Sequence, residues 1–451
     1  MAVNQLSREV AGRRILRGMN YCVIGAGAAG LGALQVLRDE GFSVDCFEAS
    51  DRVGGHWHTD YDSLHLITPR DSSGFEGHPM PSDYPLFPSR DQMRDYILGF
   101  AARNGLGSRI RFNTAVTDVR PTGERGLGGW EVATSDGERR AYDGVIVANG
   151  HLWDPFVPAY PGSFDGHAVH SGRYRDRGDL HGERVLVVGA GNSGCDLAVD
   201  AAQAGREVHI SVRSGLVFQP KTLYGRPRSE LPWLMRLPVR AQERVTRALI
   251  DVSLGRPERY GLPAPATRNL HRNRPVVNGQ LLHFIHHGRV RVAPAIERFD
   301  GHDVSFTDGS SRAFDTIVYA TGFKATIPFL EDVPLQRAAG VPLRVGGMTL
   351  PVGLERLYFV GLAAPRGPQL PVYSAQTRLV AKFLRAHERG SGALTERLGR
   401  GTRPEARIDF PRHLWQRDMD RAHTRIDRIL RRAAGAAPRP AAALAEEVLH
   451  G

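Results

Sequence analysis

Cysteine is scarce in this chain: three in 451 residues, Cys22, Cys46 and Cys195. No two of them stand at Cys-x-x-Cys or Cys-x4-Cys spacing, which removes a short-spaced redox-active disulfide and fits a reducing cytoplasm. Cys22 and Cys46 fall in apolar runs that predict buried strands, and Cys195 falls in the first turn of a predicted helix. Long apolar runs are also missing. No stretch approaches the ~20 residues that cross a bilayer, and no signal-peptide pattern opens the chain, so no membrane partner is expected. Residues 1–18 read as a loose, polar and basic leader. Lysine is rare beside arginine, and the net charge is +11. Such a balance can mark a nucleic-acid binder. Here the basic residues are scattered, so no nucleic acid is expected, and the charge suits small phosphorylated ligands instead. His283, His286 and His287 end a predicted helix just before Gly288, where imidazoles commonly sit near the helix C-terminus, and no metal site is expected.

What the chain has is one module written twice. The first copy reads Tyr21-Cys-Val-Ile-Gly25-Ala-Gly27-Ala-Ala29-Gly30, with Glu48 ending the next apolar run. The second reads Arg184-Val-Leu-Val-Val-Gly189-Ala-Gly191-Asn192-Ser193-Gly194, with Arg213 and Ser214 in the corresponding place. Each predicts a strand, a glycine turn that lets a phosphate approach the backbone, and a helix start whose free N–H groups attract pyrophosphate. One such turn is weak evidence. Two in full context imply two dinucleotides and redox chemistry between them.

The duplication extends further. Ser135-Asp-Gly through Ala148-Asn-Gly150 mirrors Thr307-Asp-Gly through Ala320-Thr321-Gly322. Each Asp-Gly signals a tight hairpin, and each is followed by a strand ending at a glycine. The predicted fold class is α/β with two Rossmann-like domains, each a βαβ unit, a β-meander and a strand returning to the parent sheet.

The strand ends separate the two ligands. An acidic residue there accepts from ribose hydroxyls, so Glu48 predicts a free 2′-hydroxyl, as in FAD or NAD. Arg213 with Ser214 would instead pair with a 2′-phosphate, which predicts NADPH at the second site. After Glu48, Gly54-Gly55-His56-Trp57 forms a turn that lets backbone approach a ligand closely.

These motifs, with Phe164-Asp-Gly166-His-Ala-Val-His170-Ser-Gly-Arg-Tyr174, resemble the flavin-containing monooxygenases, relatives of the Baeyer–Villiger monooxygenases. That segment fits the family signature Phe-x-Gly-x-x-x-His-x-x-x-Tyr/Phe, and Tyr174 favours the first group over the second. Asp196 within the second fingerprint, Ala320-Thr321-Gly322-Phe323 and Leu357-Tyr-Phe-Val-Gly361 also match. The resemblance covers residues 19 to 387. It implies an FAD domain over 19–155, an NADPH domain over 156–316 inserted into it, and a second FAD part over 317–451. It further implies an NADPH-dependent enzyme that passes one oxygen atom from O2, through a C4a-hydroperoxyflavin, to an amine or sulfide. The alternatives are Baeyer–Villiger oxygenation of a ketone or aldehyde, and a flavin-dependent NADPH oxidase or reductase. His170 is expected to position NADP and hinge the domains, not to transfer a proton. A cytoplasmic protein acting on a small molecule is implied, with a homodimer as one expected assembly.

One departure stands out. Many family members carry an Asn after a Thr or Ser where this chain has Leu64-His65-Leu66-Ile67-Thr68-Pro69. Thr68 or His65 is expected to supply that polar group. The plant auxin-forming branch also has a Leu-His-Leu run here. The Pro- and Arg-rich insert from Lys221 to Asn278 is expected to line the substrate entrance. A helix through Arg385, starting near Pro371, is expected to aim its positive end at the flavin, with Gln376 as a contact. Arg421 to Arg432 reads as helical, and the Pro-Ala end as loose.

Overall fold

Strand Asn20–Ile24 opens the first parallel sheet, and its run Tyr21-Cys22-Val23-Ile24 is apolar at every position because both faces are covered. It lies between Ser43–Phe47 and Gly144–Val147, with Tyr21 opposite Val44 on one side and Gly144 on the other. The full order is Leu357–Phe359, Gly144–Val147, Asn20–Ile24, Ser43–Phe47, Ile110–Arg111. Helix Ala28–Asp39 follows the first strand, buries Leu31, Leu34 and Leu37, and packs on helix Leu370–Glu388. It stops at Gly41, whose φ of +85° costs a glycine little.

The second sheet repeats the plan. Its order is Val290–Ala293, Glu207–Ser211, Arg184–Val188, Thr316–Tyr319, His167–His170, all parallel. Helix Asn192–Gln203 follows the Arg184–Val188 strand. Between the halves of each sheet runs an antiparallel meander: Val116–Pro121, Trp130–Thr134, Arg139–Tyr142 in one, and Ile296–Asp300, Asp303–Phe306, Ser311–Ala313 in the other. Their hairpins turn at Asp136-Gly137 and Asp308-Gly309, with glycine φ of +86° and +84°. The returning strands then pair beside the first strand of their own sheets. Fold class, meanders and returns all stand where the sequence placed them.

This computed structural model describes residues 18–435 except 228–230, 271 and 274. The leader, but for Gly18, and the Pro-Ala end lie outside the described residues. The chain divides into two compact units: one of residues up to Val53, Ala101–Gly150 and Ile327 onward, the other of Gly54–Phe100 and His151–Thr326. The second unit brackets the inserted domain read from the sequence and adds Gly54–Phe100. Hydrogen bonds within that unit explain the addition: Asp62 N donates to Arg175 O at 2.8 Å, and Tyr61 Oη to Asp196 at 2.9 Å. The C-terminal helix runs Arg412–Gly435, longer than expected. Among the described residues no helix is long and apolar enough to cross a membrane.

Candidate functional site

Each glycine turn is built by the same three constraints. Gly25 and Gly189 have φ of +100° and +98°, and a Cβ on either would lie 2.8 Å from a backbone oxygen, of Ala148 or Ala320. A Cβ on Gly30 or Gly194 would lie 1.8 or 1.9 Å from the carbonyl oxygen of Gly25 or Gly189. These four glycines are demanded by the fold, since strand and helix could not otherwise close on each other. Gly27 and Gly191, the helix N-caps, are different. Both have ordinary extended backbone, φ −69°, with no side-chain cap. A Cβ on Gly191 would meet nothing within 4 Å. The fold does not require glycine at Gly191, but a phosphate approaching the open helix N-terminus does. The residues present therefore fit a dinucleotide.

Beyond the turns the cradles diverge. Glu48 Oε2 accepts from Ala26 N at 2.6 Å, and Oε1 accepts from Ser50 N at 2.9 Å and Ser50 Oγ at 2.7 Å. The carboxylate is thus fixed across the mouth of the first turn. Arg213 and Ser214 are exposed, and Arg213 makes no hydrogen bond or ion pair among the described residues. Its guanidinium keeps all five donors for a ligand. Ala29, buried in the first helix, would meet a Cβ on Gly361 at 2.9 Å.

Asn192 and Asp196 turn inward. Asn192 Oδ1 accepts from Val277 N at 2.8 Å. Asp196 holds Asn278 Nδ2 at 2.7 Å and Tyr61 Oη at 2.9 Å, and burial raises its carboxyl above the ordinary range. Asn278 Oδ1 in turn accepts from Leu281 N at 3.0 Å. The first turns of the second cradle's helix, the 61–65 turn and the end of the insert are thereby fastened together. Ser193 is half-buried beside this group. Tyr61 and Asn278 were not singled out by motif; no local pattern marks a residue whose partner is so distant in sequence.

The signature segment is a structural clasp. A Cβ on Gly166 would lie 2.5 Å from the Phe164 ring and 2.7 Å from Asp315 O. Tyr174, fully buried, donates to Asp200 Oδ2 at 2.7 Å on the nucleotide helix. His170 is buried against Phe323, ring centroids 5.1 Å apart, and its Nδ1 accepts from Gly172 N at 3.1 Å. Burial lowers its pKa, so it is neutral near pH 7 and holds place without carrying charge.

Other expected residues lie as follows. Gly54 and Gly55 have φ of +114° and +61°, and His56 Nδ1 pairs with Asp60 at 2.6 Å beside the half-buried Trp57. Thr68 Oγ1 shares a hydrogen bond with Ser73 Oγ at 2.8 Å. His65 is exposed, its Nδ1 3.0 Å from Ser63 O. Thr321 Oγ1 donates to Phe156 O, and Gly322 has φ of +86° with open space at its Cβ position. Gln376 is fully buried; its Oε1 accepts from Gly361 N and its Nε2 donates to Ala363 O, both at 2.9 Å. Its amide holds the Gly361 turn. The three thiols are buried and free, and no group of three His, Cys, Asp or Glu residues among the described ones is arranged to hold a metal ion.

The model of the flavin-binding monooxygenase-like family matches residues 19–391. Flavin-containing monooxygenase 3 of Rattus norvegicus is 32% identical over 396 residues, 80% of this chain and 73% of its own. Indole-3-pyruvate monooxygenase YUCCA1 of Oryza sativa subsp. japonica is 32% identical over 321 residues, 69% and 78% of the two chains. Cyclohexanone monooxygenase from Rhodococcus sp. Phi1, solved bound to NADP+, shares the fold with a TM-score of 0.64 at 18% identity, over 82% of this chain and 84% of that one.

Proposed function

This chain belongs to the flavin-binding monooxygenase-like family and is an FAD- and NADPH-dependent monooxygenase, and from that premise we propose how its residues divide the work. The Gly25, Gly27, Gly30 and Glu48 cradle takes FAD, and the Gly189, Gly191, Gly194, Arg213 and Ser214 cradle takes NADPH. By this reading 19–155 and 317–451 serve the flavin and 156–316 the coenzyme. The observation that carries the assignment is the contrast at the strand ends: a fixed carboxylate after one turn, a free guanidinium after the other.

When bound, the flavin supplies activated oxygen at the expense of NADPH. The protein binds and orients. Helix starts at Ala28 and Asn192 present N–H groups to the two pyrophosphates. Glu48, already held by Ala26 and Ser50, offers an acceptor to a ribose hydroxyl. Arg213 and Ser214 select the 2′-phosphate. Tyr174 holds the coenzyme helix through Asp200, and His170 positions the coenzyme from its place against Phe323. The Gly55–Trp57 turn, Gly361 and Gln376 serve the flavin side, and Thr321-Gly322 the coenzyme side. Thr68 or His65 supplies the polar group that keeps oxygen transfer coupled to NADPH use.

The acceptor is a soft nitrogen or sulfur in a small molecule, reached past the Lys221–Asn278 insert. A 2-oxo acid is the second reading, favoured by the Leu64-His65-Leu66 run together with the rice relative. The enzyme works in the cytoplasm, and a homodimer is the assembly we assign. The test is NADPH-dependent turnover with a methyl aryl sulfide, a tertiary amine, cyclohexanone and a 2-oxo acid, with peroxide measured alongside. Sulfoxide or N-oxide matching NADPH consumed is the expected result. Stoichiometric peroxide with no oxygenated product would replace the monooxygenase reading with an oxidase.

A further inference from the structure

Lys221 is one of only three lysines in the chain. Of the others, Lys382 is paired with Asp427 at 2.7 Å, and Lys324 is exposed. Lys221 stands half-buried where the insert begins, with its ammonium 5.5 Å above the ring of Phe87. Among the described residues it has no hydrogen bond and no ion pair. Asp196 faces it electrostatically, but both oxygens of that carboxylate are already held, by Asn278 and Tyr61.

An ammonium has three donors and no acceptor. Withdrawing it from water is costly unless a partner replaces the lost hydration. A lysine that merely buries its stem keeps its head in water. Lys221 is half-buried as a residue, and that partial withdrawal from water pulls its pKa below the ordinary lysine range. The ring beneath it offers partial compensation through its π face, and leaves the donors unspent. Asp196 lies one turn into the helix whose N-terminus forms the second cradle, so these donors stand close to where a bound anion would lie.

We propose that Lys221 is an oxyanion-binding residue at the edge of the second cradle, donating to a phosphate or carboxylate oxygen of a ligand lodged over Phe87. The proposal rests on reading that cradle as the coenzyme site, and its two sources of oxyanion are the coenzyme's phosphates and an acidic substrate's carboxylate.

The rarity of lysine makes the test direct. The flavin-loaded protein is reductively methylated without turnover, and modification of Lys221 and Lys324 is followed by mass spectrometry. NADP+ serves as the phosphate probe and phenylacetate as the carboxylate probe. One of the two should slow methylation of Lys221 at least fivefold and leave Lys324 unchanged; whichever protects identifies the source. Calorimetry on Lys221→Met should then show that ligand's affinity reduced at least tenfold, with Lys221→Arg within threefold of the parent. Equal methylation rates with and without both probes would overturn the proposal. NADP+ that binds normally while leaving Lys221 unprotected would still support the cradle, so the two readings fail separately.

Discussion

The two glycine turns are nearly identical machines that end in opposite chemistry. Gly25 and Gly189 differ by 2° in φ, and the added-Cβ distances at Gly30 and Gly194 differ by 0.1 Å. Yet Glu48 is tied down by three donors, whereas Arg213 is exposed and has no hydrogen bond or ion pair among the described residues. The comparison separates two jobs. Steric contact between strand and helix dictates the turn, whatever it binds. The residue at the end of the next strand, which the turn's geometry does not constrain, selects the nucleotide.

The largest effects should come from breaking what the turns share. Gly30→Ala and Gly194→Ala place a methyl against a backbone oxygen that cannot swing away, a cost of about 3 kcal/mol or more. Each should melt at markedly lower temperature, with loss of flavin absorbance in the first and of NADP+ binding in the second. Parent-like melting in both would mean the turns relax, and that their glycines are chosen for the ligand alone.

Breaking the difference should cost less. Arg213→Ala should weaken NADPH by about 1.5–3 kcal/mol, roughly ten- to 150-fold, and leave NADH nearly unchanged. Steady-state KM for the two coenzymes decides it. Equal losses would make Arg213 a structural residue.

Acid offers a comparison at matched places in the sheets. Asp45 is opposite Cys22 in the first sheet, and His209 is opposite Leu186 in the second. Asp45 accepts from Tyr142 Oη at 3.0 Å, while His209 is buried with no partner for Nδ1 among the described residues, and its pKa is pulled down to about 4 by burial. The unfolded imidazole takes a proton near pH 6.5, the folded one only near 4. Its neutral form therefore stabilises the fold fully above pH 6.5, and that contribution drains away as pH falls from 6.5 toward 4. Thermal melts of His209→Leu should show a shallower decline across that window than the parent. An unchanged slope would place the acid sensitivity at other buried histidines, such as His387.

The smallest effect sharpens the contrast within one turn. Gly191→Ala adds a methyl to open space, so stability should change by less than about 1 kcal/mol, the scale of an N-cap substitution. NADP+ affinity should nevertheless fall, because the methyl occupies the path of the phosphate. A variant that binds NADP+ normally would move the pyrophosphate away from this helix start.

Much of this was legible in the residues alone. The strand–turn–helix of each cradle, the Asp-Gly hairpins and the returning strands follow from local rules: apolar runs, glycine where φ is positive, and helix starts after Gly27 and Gly191. So did the sign of charge at each strand end. Short-range sterics act within a few residues, and a sequence displays them directly. The segment Gly54–Phe100 was less transparent, since ahead of helix Arg90–Arg103 its loops and short turns carry no period that names a partner.

Tertiary structure alone decided which polar atoms were still available. Asp196 and Gln376 match positions expected at a cofactor, but their hydrogen bonds go to Tyr61 and Asn278, and to the backbone of Gly361 and Ala363. Lys221 looked like the start of an insert, and only the fold set it over Phe87 without an ion pair. The reason is physical. Burial and hydrogen-bond satisfaction depend on every neighbour in space, and those neighbours come from stretches of chain far apart, so no local pattern records whether a donor is spent or free.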